Sequence, residues 1–263
     1  MTRNPAISLC MPASMASQEV HLWHQPLWPA DRLPESLEKL LSPAEQQRAQ
    51  RLRGEAQRIF VTVRATLRTL LGHYVQQPAA SLRVCNNPDG KPFLDAPHPL
   101  WFNVTHSGAW ALYAVSPAGE LGVDLQQMHP ADPDTRLRMA RRFFSSEESS
   151  ALGRLPVHQL QEAFFACWTR KEAYIKRHGL SLARLLPHFT VSVEPDQPAA
   201  LLATPWQPED LNRCHLQDLP APTGYRAALA LASTHPPALC HHHWPEPDTS
   251  HGLPHKSPCL VAQ

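Results

Sequence analysis

Asp124 and Gln126 stand two residues apart in Glu120-Leu-Gly-Val-Asp-Leu-Gln126, a stretch that reads as a β-strand. Side chains two apart on a strand leave the same face, so a carboxylate and an amide are presented together, and oxygen donors so arranged can hold a hard cation. The competing reading is that an Asp near a strand end serves only a turn or a cap. Downstream, Trp168-Thr-Arg-Lys-Glu172-Ala-Tyr-Ile-Lys176 has helical spacing, which stacks Trp168, Glu172 and Lys176 along one face at steps of four. That pattern is either a surface Glu–Lys pair worth about 0.2–0.5 kcal/mol beside a core tryptophan, or part of a site carrying both signs of charge.

The elements that position these residues are announced by local signals. Ser42-Pro43-Ala44-Glu45 combines an N-cap serine, a proline at the first helical position and a capping-box glutamate. It predicts a helix to about Val75, with Ile59, Val63, Thr66, Leu67, Leu70 and Leu71 on a core face. Arg48, Arg51, Arg53, Arg58, Arg64 and Arg68 oppose a lone Glu55 and predict a basic face. Trp-Phe-Asn-Val-Thr from 101, a His-Ser-Gly turn and Trp110-Ala-Leu-Tyr-Ala-Val predict a hairpin, with the Asp124 strand following as a third. Ser145 and Glu148 repeat the capping-box spacing before a short helix, and a longer one runs from about His158 to His178, closed by Gly179. Strands near 189–193 and 225–233 end the pattern. Helix followed by a small sheet occurs in each half, which predicts an α+β fold of two similar lobes rather than a doubly wound one. Neither GxGxxG nor GxxxxGK[ST] is present.

Composition narrows the classes. The 263 residues are 43% apolar and 18% charged, enough to bury a core, and a net charge of +1 argues against a nucleic-acid binder. Six cysteines without paired spacing read as reduced thiols, no run is long and apolar enough for a membrane span, and the expectation is a cytoplasmic protein. Residues 1–17 and the Pro- and His-rich stretch 235–263, with its His241-His242-His243 run, are expected to be disordered tails; lobes are expected over 18–120 and 121–234.

Taken in order, Gly90-Lys91-Pro92, Asn103-Val-Thr-His106-Ser107, Gly122-Val-Asp124-Leu-Gln126, Phe143-Phe-Ser-Ser-Glu-Glu148 and Trp168-Thr-Arg-Lys-Glu172-Ala with Lys176 resemble the signature of the Sfp-type 4'-phosphopantetheinyl transferases, in the variant with Trp and Lys-Glu-Ala. The resemblance covers roughly residues 20–235. It implies two pseudo-two-fold related lobes in a monomer, each a long helix on a small, mainly antiparallel sheet. It also implies transfer of the phosphopantetheine arm of coenzyme A to a serine of an apo acyl- or peptidyl-carrier protein, with release of adenosine 3',5'-bisphosphate. Mg²⁺, or Mn²⁺ in its place, would be held by Asp124 and Glu172, with Gln126 where the family usually has an acidic residue.

Lys176 would stabilise the leaving group, and Glu172 or Glu148 would be the base. Thr105, His106 and Lys91 would touch the nucleotide and its phosphates, and Arg48 and Arg51 would clamp the 3'-phosphate, although Glu45 falls near a position where the family often has lysine. The amide at Gln126 keeps open a second reading, a coenzyme A or carrier-protein binding module without catalysis.

Overall fold

The computed structural model describes residues 15–27, 33–95, 100–180 and 185–244. Eleven strands and six α-helices are described: β1 Glu19–Pro26, α1 Glu35–Glu38, α2 Pro43–Arg51, α3 Gly54–Tyr74, β2 Val84–Asn86, β3 Pro92–Leu94, β4 Trp101–Ser107, β5 Trp110–Ser116, β6 Leu121–Gln127, α4 Pro133–Phe143, α5 Ser146–Arg154, α6 Val157–His178, β7 Thr190–Val191, β8 Leu201–Ala203, β9 Cys214–Leu219, β10 Tyr225–Ala232 and β11 Ala238–His243. A four-stranded sheet has the order β11-β1-β5-β4 and a three-stranded sheet the order β6-β10-β9, with β2-β3 and β7-β8 as two-stranded ribbons. All ladders are antiparallel except β1 with β11. The α+β expectation holds.

Period-two patterning builds four layers. Odd positions on β1 and β5, Trp23, Tyr113 and Val115, pack with Val63, Leu67, Leu70 and Leu71 of α3. The opposite faces, Val20, Leu22, Leu112 and Ala114, bury against Leu121, Val123, Leu125, Leu229 and Leu231 of the smaller sheet. Beyond that sheet, Ala228 and Ala230 pack under α6 with Phe164, Cys167 and Ile175. The small side chains on β10 let a helix lie close.

Three expectations are corrected. The helix predicted from Ser42 to Val75 is two helices: Leu52 and Arg53 are extended, and Gly54, at φ +55°, occupies the left-handed region that favours glycine. Its arginines do not form one basic face, since Arg68 is buried and donates to Glu45 at 2.5 Å and to the carbonyls of Ala79 and Leu82. Residues 238–243 of the stretch expected to be disordered form β11 in register with β1, and Trp244, buried against Trp23, follows it. A parallel ladder and a buried indole supply what the Pro- and His-rich composition hides. Residues 1–14 and 245–263 of the two expected tails lie outside the described residues. Among the described residues, no helix is long and apolar enough to cross a membrane, and Cys85, Cys167, Cys214 and Cys240 are free thiols.

Candidate active site

The two sheets meet where β4 passes β6, and alternate residues of β4 stitch the seam. Asn103 Oδ1 accepts from the Val123 amide at 3.0 Å, Thr105 Oγ1 donates to Asp124 Oδ1 at 3.1 Å, and Ser107 Oγ accepts from the Gln127 amide at 2.9 Å. Residues 103, 105 and 107 share a strand face, which is why an Asn-x-Thr-x-Ser spacing can do this. On β6 the odd residues face the other sheet, so Gly122, Asp124 and Gln126 face α6. Gly122 sets the distance: a Cβ there would lie 2.2 Å from the Ala173 carbonyl oxygen, so only glycine lets α6 approach this closely.

That approach brings Glu172 and Lys176 onto Asp124. Lys176 Nζ donates to Asp124 Oδ1 at 2.5 Å and to Thr105 Oγ1 at 3.1 Å, and stands 3.7 Å from Glu172 Oε2. Asp124 has no exposed surface, Glu172 is buried and Lys176 keeps 22% of its side chain exposed, so the grouping opens to solvent on the lysine side. Burial, then the neighbouring Asp124 charge, pushes the Glu172 carboxyl up to about 7, opposed by the Lys176 charge and by hydrogen bonds from Trp168 and Lys176. Two carboxylates repelling across a buried space, with one ammonium between them, are a donor set suited to a hard cation. Gln126 turns its Nε2 to Asp124 Oδ2 at 3.1 Å, so its amide orients that carboxylate as a donor.

The remaining expected residues separate. Thr105 belongs to the grouping, and His106 beside it is exposed on β4, its imidazole held below the ordinary value by surrounding protein and by Lys176. Lys91 is not free for a phosphate: Nζ donates to the carbonyls of Leu121 at 3.0 Å and Arg177 at 2.6 Å, tying the start of β6 to the end of α6. Burial lowers this ammonium to about 8.

Glu148 closes the Ser145 capping box, with Oε2 accepting from the Ser145 amide at 2.8 Å, while Oε1 accepts from the Val191 amide at 2.7 Å. Lys171 Nζ bonds both oxygens at 2.8 and 2.7 Å, so this buried carboxylate has neither a free lone pair nor access for a substrate proton. Arg48 and Arg51 lie in the exposed last turn of α2, Arg48 over the Phe60 ring, and none of the contacts binding the Asp124 grouping reaches them. Glu45 is occupied by its cap and by Arg68.

A family model described as the 4'-phosphopantetheinyl transferase superfamily matches residues 120–230, a span that carries Asp124, Glu172 and Lys176. The 4'-phosphopantetheinyl transferase HetI of Nostoc sp. is 36% identical over 196 residues, 73% of this chain and 81% of that protein. The chain belongs to the Sfp-type 4'-phosphopantetheinyl transferases. A second member, 4'-phosphopantetheinyl transferase Sfp of Bacillus subtilis (strain 168), is 26% identical over 170 residues, covering 65% of this chain and 71% of its own. A solved structure, a holo-(acyl-carrier-protein) synthase from Bacillus anthracis str. Ames in complex with CoA (3',5'-ADP), is 17% identical and covers 43% of this chain and 96% of its own at a TM-score of 0.31, a distant likeness.

The residues that sequence reasoning passed over are the supports. Asn103 and Ser107 stood in the quoted motif, and their alternation with Thr105 was the available signal. Gly122 was visible as a residue, but its role depends on α6 lying over it.

Proposed function

We propose that this family member transfers the 4'-phosphopantetheine arm of coenzyme A to a serine of an apo acyl- or peptidyl-carrier protein, releasing adenosine 3',5'-bisphosphate in a Mg²⁺-dependent reaction. The observation that carries the reading is the convergence of Asp124, Glu172, Lys176 and Thr105 where β4, β6 and α6 meet. Asp124 and Glu172 would hold the ion, which would supply positive charge to offset that of the pyrophosphate. Mn²⁺ is expected to substitute.

The serine oxygen forms the new bond to the β-phosphorus as the bond from that phosphorus to the bridging oxygen breaks, and the electron pair departs with the adenosine bisphosphate. The serine proton passes to a base, and with Glu148 committed to Lys171 that role falls to Glu172, directly or through a water. Glu172 can accept it only when ionised, the form that a neighbouring cation favours. Lys176, on the solvent side, is placed to meet the charge of the leaving group as a compact cation. Thr105 and His106 line the approach for the nucleotide.

On this reading the layers on either side of the shared sheet interface are pseudo-two-fold related lobes, 18–120 and 121–234, in one cytoplasmic, monomeric chain. Gln126 leaves the ion with two protein carboxylates, which Mg²⁺ supplemented by phosphate oxygens and waters tolerates. The test is to incubate the protein with coenzyme A, Mg²⁺ and a panel of apo-carrier domains and weigh the products. A carrier domain heavier by one phosphopantetheine, only with Mg²⁺ and coenzyme A both present, is expected. Coenzyme A binding without any mass gain would replace transfer by the non-catalytic binding module.

A further inference from the structure

Away from the seam, β1 and β11 bring together a second set of ligating side chains. The parallel register sets His21 beside Cys240, with Glu19 two residues before His21 on the same face. One carboxylate oxygen, one imidazole nitrogen and one thiol sulfur from Glu19, His21 and Cys240 lie within 4.8 Å of one another, a trio from two strands far apart in sequence. His21 Nε2 and Glu19 Oε2 are 3.3 Å apart, close to the ligand-to-ligand spacing of about 3.3–3.7 Å that follows from Zn²⁺ bond lengths of ~2.0–2.3 Å at tetrahedral angles.

The imidazole is also supported from behind. His21 Nδ1 lies 2.8 Å from Tyr74 Oη, and that oxygen accepts from Trp23 Nε1 at 2.9 Å. A phenol oxygen has two lone pairs, so it can accept from Nδ1–H as well, and that tautomer leaves the Nε2 lone pair facing Glu19 and Cys240. A polar group fixing the far nitrogen is how metal-binding histidines are held. Glu19 Oε2 is anchored in turn by the Ala16 amide at 2.8 Å. His21 is buried, Glu19 and Cys240 are half-buried, and the same face carries His242, whose Nε2 is buried without a hydrogen-bond partner and whose ring centroid is 5.0 Å from that of His21.

We propose that Glu19, His21 and Cys240 form a binding site for a borderline divalent transition-metal ion of the Zn²⁺ class, which clips β11 to β1. A thiol and an imidazole select against Mg²⁺ and Ca²⁺, which take oxygen, so this site is chemically distinct from the carboxylates of the seam. Binding displaces the thiol proton to solvent and leaves Cys240 as a thiolate ligand. The fourth position is filled by His242 or by water. The ion fixes an edge strand that pairs with the sheet through β1 alone, the device a composition so poor in β-branched residues requires.

The full chain, reduced and freed of metal, is titrated with Zn²⁺ and separately with Co²⁺, whose thiolate charge-transfer absorption reports sulfur ligation. One tight equivalent with that absorption is expected, together with slower amide exchange over 238–243 and protection of Cys240 from alkylation. Cys240→Ser, which keeps the shape of the side chain and leaves Cys10 and Cys259 in place, loses the absorption and weakens Zn²⁺ binding at least about tenfold, as loss of a metal-site group does. Carrier modification by Cys240→Ser in Mg²⁺ stays at the wild-type level, which separates this site from the proposed transfer reaction. His242→Ala weakens binding if the imidazole is the fourth ligand and leaves it unchanged if water is; either result keeps the trio. The absorption persisting in Cys240→Ser, or Zn²⁺ binding lost in His241→Ala/His243→Ala on the opposite face and kept in Cys240→Ser, would overturn the proposal.

Discussion

Helix α6 presents two groupings of lysine and carboxylate that differ in nearly every physical respect. On one side Lys171 and Glu148, both without exposed surface, meet at 2.7 Å, and the Glu148 oxygens also accept from the Ser145 and Val191 amides. On the other, Lys176 serves two carboxylates, Asp124 at 2.5 Å and Glu172 at 3.7 Å, and is itself partly exposed. The first grouping is balanced in charge and saturated in hydrogen bonds, so it can fix α5 and the 189–191 segment to α6 but do no chemistry. The second has more negative charge than its lysine neutralises; burial, and then that surplus, raise Glu172, and the surplus invites a cation. Adjacent residues of one motif, Lys171 and Glu172, thus fall in a structural ion pair and in the candidate site respectively.

The contrast can be broken from either end. Glu148→Gln strands the buried Lys171 ammonium, and chemical denaturation is expected to show a loss of about 3–5 kcal/mol, with turnover per folded molecule unchanged. Asp124→Asn and Glu172→Gln are each expected to cut turnover about a hundredfold or more, some 2.7 kcal/mol, while the thermal midpoint stays near the wild type.

A pH series sharpens the comparison further. The folded-state Glu172 pKa is raised, to about 7 from an ordinary 4.5, so without metal its protonated form favours the fold at acid pH, and that contribution is lost as pH rises from the ordinary value through the raised one. A cation needs the ionised form. The Mg²⁺ concentration for half-maximal rate should therefore climb as pH falls through about 7, and Mg²⁺ should raise the melting temperature more at pH 8 than at pH 6.

The smallest expected effect is at Gln126. Gln126→Ala should cost less than about tenfold in kcat/KM, under roughly 1.4 kcal/mol, because it removes a donor to Asp124 and no charge. Gln126→Glu should lower the Mg²⁺ requirement in the same titration, and equal collapse of Gln126→Ala and Asp124→Asn would make the amide an obligatory ligand.

Legibility in the sequence followed the kind of physics involved. β4, β5, β6, α5 and α6 were readable because alternation, the Ser145–Glu148 capping box before α5 and the glycine that closes α6 are local signals, and Asp124, Glu172 and Lys176 came with them as same-face spacings. β1 was hidden because it is buried on both faces with His21, His24 and Gln25 among its interior residues, which erases the alternation. β11 was hidden by its histidines. Glu148 and Lys91 have the right residue types for the chemistry expected of them, yet Lys171 takes one and two carbonyls take the other. Which partner a charged side chain finds is decided by packing, and no one-dimensional pattern records it.

The measurement that bears most directly on this division of labour sets Glu172→Gln beside Glu148→Gln, with carrier-protein mass gain and denaturant midpoint taken on the same samples in saturating coenzyme A and Mg²⁺. The expected outcome is a crossed pattern, in which Glu172→Gln keeps its midpoint and loses transfer while Glu148→Gln loses midpoint and keeps transfer per folded molecule. Near-normal transfer by a well-folded Glu172→Gln protein, with transfer abolished in Glu148→Gln molecules that remain folded, would contradict it and move the chemistry to the other side of α6.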